Sequence, residues 1–236
     1  MTRLTTCADA EAVAARAAAD IARALERACT ERGGAHIALS GGTTPKRTYE
    51  LLSEEPLDWA DVHVWFADER CVGPDDEESN YRLASETLLE PARIPAERIH
   101  RMQGELGPEE GASRYALELA RGAPASAGKL PVLDLVVLGI GPDGHVASLF
   151  PGAAALDAGE HELCLGVHDS PKPPPQRITL SLPLLRAAAG CLLLATGAAK
   201  SDAVSAMLAE PSRHVPASLL RRGRLTVILD DAASPN

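Results

Sequence analysis

The chain has 236 residues, 45% hydrophobic and 24% charged, the balance of a folded globular protein long enough for one large α/β domain or two small ones. Its net charge of -10 argues against a nucleic-acid surface, which needs a basic face. It leaves an anionic small molecule open, because a pocket is set by local groups and helix ends.

The five cysteines (Cys7, Cys29, Cys71, Cys164, Cys191) are odd in number, scattered and never spaced CxxC, which fits a reducing compartment better than a disulfide framework. No apolar run reaches membrane-spanning length, and no basic-then-apolar leader pattern opens the chain. The expected setting is cytoplasmic, with no membrane partner.

In chain order, residues from about Ala8 to Cys29 place Ala, Val, Ile and Leu at helical spacing, and Gly33-Gly34 stops that helix. A strand at His36–Leu39 runs into Ser40-Gly41-Gly42-Thr43-Thr44-Pro45, and Pro45 suits the first turn of a helix reaching Leu52. Strand Val62–Phe66 ends in Ala67-Asp68-Glu69-Arg70. Ser79 or Asn80 caps a helix ending near Glu90. Pro108–Arg121 reads as a helix and Gly122–Lys129 as a surface loop.

The run from residue 133 to Gly139 is a buried strand, breaking into Ile140-Gly141-Pro142-Asp143-Gly144-His145. Strands follow at Leu163–Val167 and Arg177–Leu180, separated by the loop Ser170-Pro171-Lys172-Pro173-Pro174-Pro175, and Ser181 with Pro183 opens a short helix. Strand Cys191–Ala195 gives way to Thr196-Gly197-Ala198-Ala199-Lys200 and a helix to about Ala209. Leu225–Leu229 is the last strand. Strands alternating with helices predict an α/β fold with a doubly wound, mainly parallel sheet flanked by helices. With no internal repeat and no linker, one domain over residues 1–236 is expected.

Four of these strands end in a polar or glycine-rich motif: Ser40–Pro45, Asp68–Arg70, Gly139–His145 and Thr196–Lys200. In a parallel sheet such ends share one edge, where open α/β sheets bind ligands. Ser40, Gly41, Gly42 and Thr43 form a small-residue turn at a helix N-terminus, suited to an anion, although no Walker Gly-Lys-Ser/Thr follows. Lys200 and Arg177 add two cations, which together with that turn suit a monophosphate. Asp143 and His145, around Gly141 and Gly144, deliver a carboxylate and an imidazole within three residues, a pairing fit for proton transfer near neutrality. Asp68 could orient or exchange protons, and Arg70 could hold an anion or polarise an acyl oxygen.

Other chemistries fit less well. The GxGxxG at Gly139–Gly144 sits mid-chain, loses a donor to Pro142 and meets a histidine at once, unlike a dinucleotide loop. His161, Cys164 and His168 would not share one strand face, so no metal is expected. There is no Gly-x-Ser-x-Gly elbow, and Ser148 lies only three residues after His145, which disfavours a serine hydrolase. His36, His63, His100 and His214 read as packing or surface residues.

Taken in order, Leu39–Pro45, Phe66–Val72 with Ser79-Asn80-Tyr81, Gly139–Gly152, Ser170–Leu180 and Thr196–Lys200 resemble the 6-phosphogluconolactonase family over nearly the whole chain. That family shares a fold with glucosamine-6-phosphate deaminases. The segment after the histidine, Ala147-Ser148-Leu149-Phe150-Pro151, has the lactonase form, not the deaminase Asn-Glu-Pro. Val146 departs from the threonine common in the family and loses its hydroxyl.

The resemblance implies a Rossmann-like fold of the sugar-phosphate isomerase/deaminase type and hydrolysis of a phosphosugar lactone in the oxidative pentose phosphate pathway, with no cofactor. It implies His145 as general base within the Asp143–His145 turn and a phosphate held by Gly41, Gly42, Thr43, Arg177 and Lys200. Asp68 and Arg70 would line the pocket. The expected assembly is a monomer or weak dimer. A deaminase or isomerase using Asp68 as proton shuttle, and a non-catalytic phosphosugar sensor, are the alternatives.

Overall fold

The structure is a computed structural model that describes residues 2–125 and 129–235; the expected surface loop Gly122–Lys129 lies partly outside them. The elements run β1 (Arg3–Cys7), α1 (Ala10–Arg32), β2 (Ala35–Leu39), α2 (Thr43–Leu52), β3 (Val62–Phe66), β4 (Asp68–Arg70), α3 (Asn80–Ala84), α4 (Pro108–Gly122), β5 (Leu135–Gly139), β6 (Cys164–Val167), β7 (Arg177–Leu180), α5 (Leu182–Ala187), β8 (Cys191–Ala195), α6 (Ser201–Leu208), α7 (Pro216–Leu219) and β9 (Leu225–Asp230).

Short apolar runs build the main sheet, in the order β1-β9-β8-β5-β2-β3 with every pairing parallel. All residues of β2 and β8 are buried, as expected of parallel strands covered on both faces. From β2 the chain moves to one edge at β3, then returns on the other side of β2 as β5 and continues outward to β8 and β9. The strand order therefore reverses between β2 and β5, the place where such sheets bind ligands beyond their carboxyl ends.

The long helix α1 follows from its pattern. Val13, Ala14, Ala17, Ala18, Ile21, Leu25 and Ala28 make one buried stripe, and the small alanines let it lie close to the sheet. Asp9 caps its start by accepting from the Ala12 N–H at 2.8 Å. Gly33, at φ 78°, ends it in the left-handed conformation. Among the described residues no helix is long and apolar enough to cross a membrane.

Three features differ from the expectation. β1 lies outside the elements expected from the sequence, because Arg3-Leu4-Thr5-Thr6-Cys7 is largely exposed at the sheet edge and carries little apolar signal. The expected strands Leu163–Val167, which starts at Cys164, and Arg177–Leu180 do form, but in a separate three-stranded antiparallel sheet, β4-β7-β6. Asp68–Arg70 is the third strand of that sheet, not only the end of β3. The main sheet is parallel throughout, and the small sheet closes one side of its carboxyl edge.

Candidate active site

The turn after β5 is built around His145. The backbone closes through Gly144 N–H to Gly141 C=O and Gly141 N–H to His145 C=O, both 2.9 Å. The imidazole folds back over Gly141, where a Cβ would overlap both the ring and the Asp143 carboxylate; only glycine fits there. His145 Nδ1–H donates to Asp143 Oδ1 at 2.5 Å, which leaves Nε2 as the acceptor. The ring packs on Phe150 with centroids 4.5 Å apart. Burial pushes the imidazole below its usual value, against the hydrogen bond and charge of Asp143. Burial pushes the Asp143 carboxyl up, but the His145 hydrogen bond and charge outweigh it and leave it lowered. Two residues on, Ala147 is held at φ 49°, a strained conformation for a residue with a Cβ.

Strand alternation explains the Asp68-Glu69-Arg70 motif. Asp68 and Arg70 both line the cleft, while Glu69 faces the other way. Glu69 is buried and accepts from the backbone N–H groups of Arg70, Asn80 and Tyr81 and from Ser79 Oγ, at 2.7–3.0 Å. It anchors the start of α3, with Ser79 as the cap. Asn80, thus fixed, donates to the Asp68 carbonyl at 2.9 Å and to Asp68 Oδ1 at 3.3 Å. In the β4–β7 register Arg70 stands opposite Arg177. Arg70 is partnered by Glu78, its Nη1 donating to the Glu78 carbonyl and lying 3.9 Å from the Glu78 carboxylate, while among the described residues its Nε remains free on the cleft side.

At the other end of the cleft Gly42 precedes α2, and no side chain caps the helix's first N–H groups. These donors, with Ser40, Gly41 and Thr43, face the same space as Lys200. Thr44 Oγ1 and Thr196 Oγ1, 2.8 Å apart, tie the β2 and β8 loops together. Burial pushes the Lys200 amine down, Lys172 adds to this, and Asp143 opposes it.

Arg177 also borders the cleft, but its guanidinium is engaged with the proline loop. Nε donates to the Pro174 carbonyl at 3.0 Å, and Nη2 to those of Lys172 and Pro173, each at 3.2 Å. It also lies over Phe150. Arg177 thus shapes the loop that presents Lys172.

The cleft of about 250 Å³ brings together Ser40, Gly41, Gly42, Thr43, Asp68, Arg70, Gly141, His145, Arg177 and Lys200. Asp143 and Gly144 stand behind the histidine. Reasoning from sequence missed Lys172, Asn80 and the strained Ala147 as lining residues. The lysine was visible as the one charge in a proline loop. In the sequence Asn80 stands as a helix cap and as part of the Ser79-Asn80-Tyr81 motif, neither of which points to the cleft. Among the described residues, three buried side-chain polar atoms have no hydrogen-bond partner: Ser40 Oγ, Arg70 Nε and Asn80 Oδ1. All three residues border this cleft, and each such atom costs about 1–3 kcal/mol.

Residues 8–229 match the family described as glucosamine-6-phosphate isomerases/6-phosphogluconolactonase. The chain belongs to this family. Among relatives, it is 37% identical to 6-phosphogluconolactonase of Synechocystis sp., over 94% of this chain and 92% of that protein. It is also 37% identical to 6-phosphogluconolactonase of Streptomyces coelicolor, over 96% and 91%. Among solved structures, 6-phosphogluconolactonase from Trypanosoma brucei superposes with a TM-score of 0.88 at 30% identity, covering 99% of this chain and 97% of that one. A monomeric glucosamine-6-phosphate deaminase shares the fold, with a TM-score of 0.81 at 23% identity and 98% of each chain covered. The segments that carry the resemblance in the sequence each contribute a residue to the cleft, among them Ser40, Asp68, His145, Lys172 and Lys200.

Proposed function

We propose that this chain, as a single catalytic domain, hydrolyses 6-phospho-D-glucono-1,5-lactone to 6-phospho-D-gluconate in the oxidative pentose phosphate pathway. One observation carries the reading: an imidazole oriented by a carboxylate opens onto the same cleft as an uncapped helix N-terminus and Lys200. The names borne by the relatives point the same way.

In this reading the α2 N-terminus, Lys200 and Lys172 hold the phosphate, and binding energy from that remote group positions the lactone. His145 Nε2 takes a proton from water as the water oxygen bonds to the lactone carbonyl carbon. Arg70 stabilises the charge that develops on the carbonyl oxygen, while Asp143 holds the imidazolium that forms. Collapse breaks the bond from carbonyl carbon to ring oxygen. The imidazolium returns its proton to that oxygen, giving the open hydroxy acid. General-base assistance contributes about 10² to 10⁴, and a lactone that already opens in water needs little more.

The test is the rate of acid release from freshly made lactone with purified protein, measured against spontaneous opening. Acceleration that is lost on the unphosphorylated lactone is expected. Absence of acceleration, with ammonia released from glucosamine 6-phosphate, would decide for a deaminase. Phosphosugar binding with no turnover of either compound would leave a sensor.

A further inference from the structure

We propose that Ser148 is a positioning residue for this reaction, holding the Asp68 carboxylate and pinning the His145 turn to the small sheet. The inference rests on the lactonase reading, in which Asp68 works within the cleft.

Ser148 is fully buried, three residues after His145 and directly after the strained Ala147. Its Oγ–H donates to Asp68 Oδ2 at 2.7 Å. Its backbone N–H donates to Thr179 Oγ1 at 3.3 Å. Thr179 spends its own hydroxyl proton on the Leu180 carbonyl at 3.1 Å, so its oxygen is free to accept. Thr179 is also the residue opposite Asp68 in the β4–β7 register. One serine therefore joins the histidine turn to both strands that carry the cleft's acid and arginines. A hydroxyl committed to Asp68 and shielded from the cleft is not a nucleophile.

The chemistry of the donors matters. Among the described residues the Asp68 carboxylate forms no ion pair, and its side-chain partners, Ser148 and Asn80, are neutral. Neutral donors fix the orientation of a carboxylate without cancelling its charge. Burial holds the His145 imidazole below its usual value, Asp143 opposes this, Lys172 adds to it, and the charge of Asp68 makes a smaller opposing contribution. That contribution stabilises the imidazolium that forms when the base takes its proton. Ser148 keeps this charge where it can act and holds the backbone behind the base.

The test is a double-mutant cycle on turnover, with thermal unfolding as the check on folding. Ser148→Ala is expected to lower kcat about tenfold while KM stays within about twofold. Ser148→Thr, which keeps the hydroxyl, is expected to recover most of the loss. In an Asp68→Asn background, Ser148→Ala is expected to cost little more, because the two act as one unit. Equal losses from Ser148→Ala in both backgrounds would overturn the inference while leaving the lactonase reading intact. Wild-type turnover in Asp68→Asn would instead remove Asp68 from the mechanism, and the inference with it.

Discussion

His145 Nδ1 lies 2.5 Å from Asp143 Oδ1 within a single turn, so the tautomer of the base is set by its neighbour two residues earlier. Burial lowers the proton affinity of His145, and Asp143 acts against this. Asp143→Asn removes the opposing charge, so the imidazole should lose its proton at still lower pH. The acid limb of kcat/KM, which rises as His145 becomes neutral, should move to lower pH, and the plateau should fall at least about tenfold as orientation is lost. A limb that moved to higher pH would contradict the assignment.

Lys172 and Lys200 are expected to act on binding. A hydrogen bond to a charged group is worth about 1.5–3 kcal/mol, so Lys172→Ala and Lys200→Ala should each raise KM at least about tenfold with a smaller effect on kcat. The unphosphorylated lactone should not distinguish these variants from wild type. Arg177→Ala should behave differently, because the guanidinium holds three loop carbonyls. It should lower thermal stability as well as weaken substrate binding.

At Gly141 the absence of a side chain makes room for the base. Gly141→Ala should displace the His145 ring and cut turnover by about 10²-fold, the scale of a small misplacement in a catalytic group. The sheet should remain folded by circular dichroism. Unchanged kcat would mean that the ring can act from elsewhere.

A histidine cluster at the other edge of the sheet should govern acid stability. Arg98 Nη1 donates to His63 Nε2 at 2.7 Å; His63 Nδ1–H then donates to His100 Nε2 at 2.9 Å, and His100 Nδ1–H to Glu118 at 2.7 Å. Trp65 Nε1–H donates to His36 Nδ1 at 3.1 Å. These directions require neutral His36 and His63. Burial, then the neighbouring His63 and His100, pushes His36 from 6.5 down to about 4. Burial likewise lowers His63, with His100 and Arg98 adding to it and Asp61 opposing it.

The unfolded chain therefore binds more protons than the folded one over this window. Stability should fall as pH drops from about 6.5 towards 4, by on the order of 3 kcal/mol from His36. Urea midpoints against pH should show this slope, and His36→Gln should flatten it. An unchanged slope in that variant would contradict the account.

Much of this was legible in the sequence, for physical reasons. Apolar five-residue runs ending in glycine or hydroxyl motifs identify buried parallel strands and their ligand-binding edge, and His145, Asp68, Arg70 and Lys200 do share one cleft. β1 leaves little trace in the sequence because an edge strand needs few apolar residues. Asn80 and Ser148 were hidden because their roles depend on Asp68, which reaches them only through tertiary packing. Arg177 carried the expected charge, but its partners, three carbonyls of a proline loop, could not be read from spacing. The sequence allows His36, His63 and His100 to be packing or surface residues alike, and their hydrogen-bond directions emerge only once β2, β3 and α4 are brought together.

The most direct measurement is turnover of fresh 6-phosphogluconolactone by His145→Ala beside the unmodified chain, with both shown to be folded. The account predicts a loss of at least about tenfold in kcat with substrate binding retained, because the phosphate grip lies on other loops. Near-normal turnover in the variant would contradict it.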